Sequence, residues 1–352
     1  MGKSLFTRLL SVVVLLLIGL GIYTTFRLQH IGAFRSFENH PDGNSMQVAS
    51  YPGPEALQLD YQRGILFFIS NNPCDRSQYK GGIYFLDLTR NNSQAQPFKL
   101  DHPLDFYPHG LSFLQAGHTQ YLFTNNHRQD GTHTVEIFKI SSPGELQHLE
   151  TIKSSLLTSP NDLVALGSRQ FYVTNDGRSH DRAVRSLDTY LGRKTGNVLF
   201  FDGSELKIVV DNLYFPNGIA FDKYRKQLVV GETLSGDLLF YQPDKKNKLT
   251  NVDKFHIGVG IDNISFNVDN SALVVAVHPN LLALSNHMEY MAEPSPSQVF
   301  IYSYQTKGLK LFYQNNGSTI SGVSAAVMHG QDIYLGAVCD NKLIKLTMDG
   351  QF

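Results

Sequence analysis

The chain has 352 residues, of which 42% are hydrophobic and only 17% charged, with 30 basic against 31 acidic side chains. A formal net charge of −1 without any basic run excludes a nucleic-acid-binding surface, and the apolar content is ample for a packed core. No Gly-x-Ser-x-Gly elbow, His-Glu-x-x-His helix, P-loop or Gly-x-Gly-x-x-Gly turn is present, so nucleophilic serine, zincin and nucleotide-binding chemistry have no candidate.

The N-terminus stands apart. Lys3 and Arg8 precede an uncharged run from Leu9 to Phe26, just long enough to span a bilayer. The run ends in the bulky Ile22-Tyr23-Thr24-Thr25-Phe26 with no small-residue cleavage site, which favours an uncleaved signal anchor over a removed signal peptide. Positive charge on its leading side puts the N-terminus in the cytoplasm and the remainder on the extracytoplasmic side, periplasmic or extracellular. Residues 1–26 therefore read as an anchor, 27–50 as a linker, and 51–352 as one folded unit.

That unit repeats. A polar residue heads an apolar strand at Glu55, His109, Asn161, Asn217, Asp262-Asn263 and Ser321, a period of about fifty residues that signals propeller blades or solenoids. Each head is followed by a turn and two further runs rich in Val, Ile, Phe and Tyr, as in Gln227–Val230 and Gly236–Tyr241 after Asn217. Six such units predict an all-β, six-bladed propeller whose innermost strands line a central channel. The heads then converge on one channel mouth. One interruption, residues 177–194, carries Ala183 to Leu191, a short amphipathic helix expected over one face of the disc. Cys74 and Cys339 fall in the first and last repeats, so ring closure brings them near each other; a disulfide and two separate buried thiols both fit the sequence.

Five heads offer oxygen: Glu55, Asn161, Asn217, Asp262 and Asn263. Any one of them alone is a turn residue. In register across the repeats they form the donor set that calcium takes, two carboxylates plus amides, with room left for water or substrate. Zinc would want thiolates or clustered imidazoles. His109 shares the same mouth, His127 closes the second strand of its blade, and His278 follows the second strand of the fifth. A histidine beside a metal can take a proton from water, so the chemistry expected is hydrolysis of a carboxylic ester or lactone.

The stretches Phe106-Tyr107-Pro108-His109-Gly110-Leu111-Ser112, Asn126-His127, Pro160-Asn161-Asp162-Leu163-Val164, Asn217-Gly218-Ile219 and Val259-Gly260-Ile261-Asp262-Asn263 resemble the paraoxonase/arylesterase family, itself related to gluconolactonase-like propellers. The resemblance runs in order over about residues 50 to 347. It implies calcium-dependent lactonase and arylesterase activity, a catalytic Ca2+ on Glu55, Asn161, Asn217, Asp262 and Asn263, a catalytic pair His109 and His127, and a substrate pocket with Phe215 and His278. It also implies a retained hydrophobic N-terminus at Leu9 to Phe26, a membrane-facing helix around Leu187 to Leu191, and a second, structural Ca2+ held by Asp162 and the Leu111 carbonyl. Two departures stand out. Ala56 replaces a carboxylate of that second site, and the family's terminal cysteine pair is not at Cys74 and Cys339. The rival readings are a non-catalytic calcium-binding propeller acting as an extracytoplasmic binding module, and a strictosidine-synthase-like enzyme.

Overall fold

The computed structural model describes residues 2–40, 45–71, 73–74, 81–291 and 293–347; the side chains of residues 2–5, Lys3 among them, lie outside that set. Six sheets of four or five strands stand around a central axis, a six-bladed β-propeller. The innermost strands are Leu57–Asp60, Pro108–Ala116, Pro160–Gly167, Pro216–Asp222, Ile261–Phe266 and Val323–His329, each opening its blade as the repeat predicts.

The second strand of every blade is buried on both faces, which is why it reads as an unbroken apolar run. Alternate side chains go to opposite neighbours because the strand period is two. In the first blade Phe67 and Ile69 pack with Leu111, Leu122 and Phe138 of the second blade, while Leu66 and Phe68 pack with Val327, Tyr334 and Leu343 of the sixth. Leu228 and Val230 of the fourth blade likewise join Tyr172 and Phe200, and Val229 joins Leu273 and Val275 on the other side. Six apolar clusters thus sit one at each blade junction, and each fully buried Leu, Val or Phe contributes roughly 1.5–3 kcal/mol.

Ring closure comes from the segment read as a linker. Within it Ser45–Ala49 is a strand, antiparallel to Leu343–Thr347, that completes the sixth blade from the N-terminal side. The disulfide Cys74–Cys339 adds a covalent clasp between first and last blades, with Cα atoms 6.0 Å apart.

The N-terminal helix α1 spans Gly2–His30, four residues beyond the apolar run. Its stretch Phe6–His30 is long and apolar enough to cross a membrane, with Leu9, Leu15, Leu16, Leu17 and Phe26 exposed. The amphipathic segment forms α2, Arg182–Leu191, opened by an Asp181 carboxylate that accepts the Ala183 and Val184 N–H groups and closed by Gly192 in the left-handed conformation. A third helix, α3 at Leu281–Tyr290, follows an Asn280 cap. The end of α1 is tied to both: Tyr23 Oη donates to the Leu191 carbonyl, Arg27 donates to the Thr189 and Tyr190 carbonyls, and the Ile31 carbonyl accepts from Leu281 N. Both helices follow second strands, so they lie at the head end of the channel, where the end of α1 meets the propeller.

Candidate active site

The heads are aimed into the channel by a repeated irregularity. In five blades the innermost strand carries a one-residue bulge just after its start: Pro108 pairs with Asn126 but Leu111 with Thr124, and the same slip occurs between Pro160 and Leu163, Pro216 and Ile219, Ile261 and Ile264, and Val323 and Ala325. A bulge releases residues from the ladder and turns them aside. It frees His109-Gly110, Asn161-Asp162, Asn217-Gly218 and Asp262-Asn263, the pairs the repeat singled out.

The bulged heads of adjacent blades approach so closely that two positions admit no side chain. A Cβ on Gly110 would lie 2.7 Å from the Asn161 carbonyl oxygen, and one on Gly218 would lie 2.4 Å from the Asp262 carbonyl oxygen. Side chains stitch the same level together. Asn125 Nδ2 donates to the Asn161 carbonyl, Thr174 Oγ1 to the Asn217 carbonyl, and Asn263 Nδ2 and Ser324 Oγ to the Glu55 carbonyl.

Within this frame His109 Nδ1 stands 3.0 Å from Glu55 Oε2. Burial alone would lower the His109 pKa, but the charge and hydrogen bond of Glu55, with Asp262 and Asp176 further off, outweigh it and raise it. Asp262 is buried, and its Oδ2 accepts from His278 Nε2 at 2.6 Å. His278 is 2% exposed and backs Asp262. His127 is beside His109, ring centroids 4.8 Å apart, and its Nε2–H donates to the Pro160 carbonyl at 2.7 Å. Phe215, next to the Asn217 head, holds φ +58°, a left-handed conformation costly for an aromatic residue, with its carbonyl fixed by Thr233 N.

The oxygen set fits a hard cation. The Asn217 Oδ1 is buried without a donor, and the Glu55 Oε2 faces only the histidine. Asn263 spends its Nδ2 on the Glu55 carbonyl, and its amide oxygen is the donor it has to offer a cation. Among the described residues no three His, Cys, Asp or Glu side chains converge as a metal cluster. A ring of two carboxylates and three amides suits calcium and not zinc. The second position fits poorly. Ala56 gives no ligand, and both Asp162 carboxylate oxygens accept backbone N–H groups, from Leu163 and Ile219. Burial pushes Asp162 up to about 7. The void there, lined by Ala56, Leu111, Asp162 and Asn263, is only about 10 Å³.

Two buried residues behind the histidines carry no assigned role in the sequence reading. Asn126 accepts the Tyr107 N–H and donates to the Asp105 carbonyl, clamping the approach to His109, while the Tyr107 carbonyl takes the His127 N–H. Behind it Glu136, fully buried, accepts from Asn126, Thr134, Thr151 and His148. A lone acid inside the apolar strand Thr134-Val135-Glu136-Ile137-Phe138 is the signal that would have marked this network.

A family model described as Arylesterase matches residues 67–345. Serum paraoxonase/arylesterase 2 of Canis lupus familiaris is 31% identical over 265 residues, 73% of this chain and 74% of its own. Serum paraoxonase/lactonase 3 of Homo sapiens is 28% identical over 350 residues, 93% of this chain and 97% of its own. Among solved structures, a luciferin-regenerating enzyme superposes with TM-score 0.56 at 12% identity over 88% of this chain and 96% of its own. Regucalcin of Agrobacterium tumefaciens, titled a calcium-binding protein, does so with TM-score 0.54 at 14% identity and the same coverages. These last two likenesses speak to the fold alone. The family match spans most of the propeller, bulged heads and histidine pair included, and the chain belongs to the arylesterase family.

Proposed function

We propose that this protein is a membrane-anchored, calcium-dependent hydrolase of lactones and aryl esters, acting on the extracytoplasmic side. The observation that carries the reading is the ring of oxygen donors on bulged strand heads around one histidine–carboxylate pair, His109 and Glu55. Its family relatives bear the names arylesterase and lactonase, which fit hydrolysis of a carboxylic ester.

Glu55, Asn161, Asn217, Asp262 and Asn263 would hold the ion. A bound Ca2+ supplies Lewis acidity toward the substrate carbonyl and stabilises developing negative charge on it. His278 fixes Asp262 in place through the 2.6 Å contact. Glu55 engages Nδ1 of His109 and so leaves Nε2 to take a proton from water. The negative charge of Glu55 and Asp262 that raises the His109 pKa is charge that a bound cation would offset. His127, pinned by the Pro160 carbonyl, stands next in line to receive that proton. Phe215 walls the pocket. The inner position at Ala56 and Asp162 has no part in this reading.

His109→Gln is the direct test. Hydrolysis of lactones and phenyl acetate should fall by at least about 10²-fold, the usual span for a general base, while calcium binding persists. Undiminished turnover in a variant that still binds calcium would remove His109 from the mechanism and favour a different base.

A further inference from the structure

Four histidine rings stand in file from the candidate site to the surface. His109 and His127 have centroids 4.8 Å apart, His127 and His133 4.6 Å, and His133 and His180 6.1 Å with planes 9° from parallel. The strand register produces the middle step, because His127 and His133 are directly opposed across two antiparallel strands of the second blade. His180 comes from the third blade, in the segment that leads into α2. Exposure grades along the file: His109, His127 and His133 are half-buried and His180 is exposed.

The file runs sideways between two blades, away from the axis. The head end of the channel carries α2, α3 and the end of the apolar anchor. Ester hydrolysis needs a path for protons from the site to bulk water. One water O–H bond breaks as its oxygen bonds the acyl carbon; the acyl–oxygen bond then breaks, the leaving alkoxide takes one proton, and the new acid is left as carboxylate. One proton per turnover remains to be exported. Imidazoles accept and release protons near neutral pH.

We propose that His133 and His180 carry the proton of hydrolysis from the His109–His127 pair to bulk water. The proposal rests on the hydrolase reading above. A merely structural pair of imidazoles would show no sensitivity to buffer, and a relay does, because small buffer bases can substitute for a missing link.

The test compares the full chain with its His133→Gln and His180→Gln variants in lactone hydrolysis, in weakly buffered solution and in concentrated imidazole. Expected is a fall of about tenfold in kcat in weak buffer, at the low end of proton-transfer effects, with KM and thermal midpoint unchanged and the rate restored by imidazole. His180 is exposed, so its variant reads out the relay even where His133→Gln perturbs the strand. Wild-type kcat for both variants in weak buffer, or a loss that imidazole does not restore, overturns the relay and leaves hydrolysis at His109 intact. No hydrolysis by the unaltered chain overturns the hydrolase reading and the relay with it.

Discussion

His278 Nε2 and Asp262 Oδ2 meet at 2.6 Å, both side chains being less than a tenth exposed. The contact joins the end of one strand to the bulged head of its neighbour, so the orientation of a proposed ion ligand depends on a residue outside the proposed ligand set. Outer hydrogen bonds of this kind are worth about 10–100-fold in metal affinity. His278→Leu should therefore weaken calcium binding by about that factor, while His278→Gln, able to donate to the carboxylate, retains more of it. Equal affinities for both variants and the native chain, by calorimetry, would mean that Asp262 needs no such support.

The two close-packed glycines give a prediction about stability. A methyl on Gly218 would have to displace the Asp262 carbonyl and the Ile264 N–H, at 2.4 and 2.7 Å, and both are backbone. Overpacking of this sort costs roughly 1–3 kcal/mol. Gly218→Ala should lower the thermal midpoint and loosen calcium together, since the same shift moves the ring of heads. Gly117→Ala, with nothing within 4 Å but a φ of +59° that Gly218 does not share, separates backbone strain from overpacking.

The disulfide between Cys74 and Cys339 clasps blades whose sequence separation is 265 residues. Constraint of so long a loop in the unfolded state is worth about 2–5 kcal/mol. Cys339→Ser should unfold at a lower temperature than the native chain, and reduction of the native chain should produce the same shift. The strand Ser45–Ala49 closes the ring independently, so the variant should still fold. An unchanged melting curve after verified reduction would show that this strand alone fixes the ring.

Glu136 sets an acid limit. Burial raises its pKa, but hydrogen bonds from Thr134, Thr151, Asn126 and His148 outweigh burial and bring it below the ordinary value of 4.5. A carboxylate with a depressed folded pKa contributes stability that is present above its unfolded value and is lost as the pH falls through the folded one. The thermal midpoint should thus drop steeply below about pH 4.5, and Glu136→Gln should flatten that drop while costing about 1–3 kcal/mol at neutral pH through its weakened network. Parallel curves for the two proteins would assign the acid transition to other carboxylates. Because Asn126 links Glu136 to both histidines, the variant should also lower kcat.

Much of this was legible in the sequence, for physical reasons that differ by element. The second strands are buried on both faces and so appear as runs such as Leu66–Ile69 and Leu273–Val277. The heads are visible because each blade must present a polar residue to the channel. The outermost strands were not visible: Leu249–His256 is almost wholly exposed and carries no apolar pattern. Ser45–Ala49 was hidden for the same reason and because its partner lies at the far end of the chain. The bulges leave no composition signal, although they explain why two consecutive residues, Asp262 and Asn263, both leave the ladder. His133 and His180 sit where turn and loop chemistry is expected, and only the register of the second blade brings His133 against His127.

The most direct test of the central claim is calcium-dependent hydrolysis, measured on the full chain in detergent with phenyl acetate and γ- and δ-lactones, before and after chelation, alongside Asn217→Ala. The expected result is turnover that disappears on chelation, returns with calcium, and is lost in the variant together with calcium binding. Hydrolysis that survives chelation, or that persists in an Asn217→Ala chain unable to bind calcium, would contradict it.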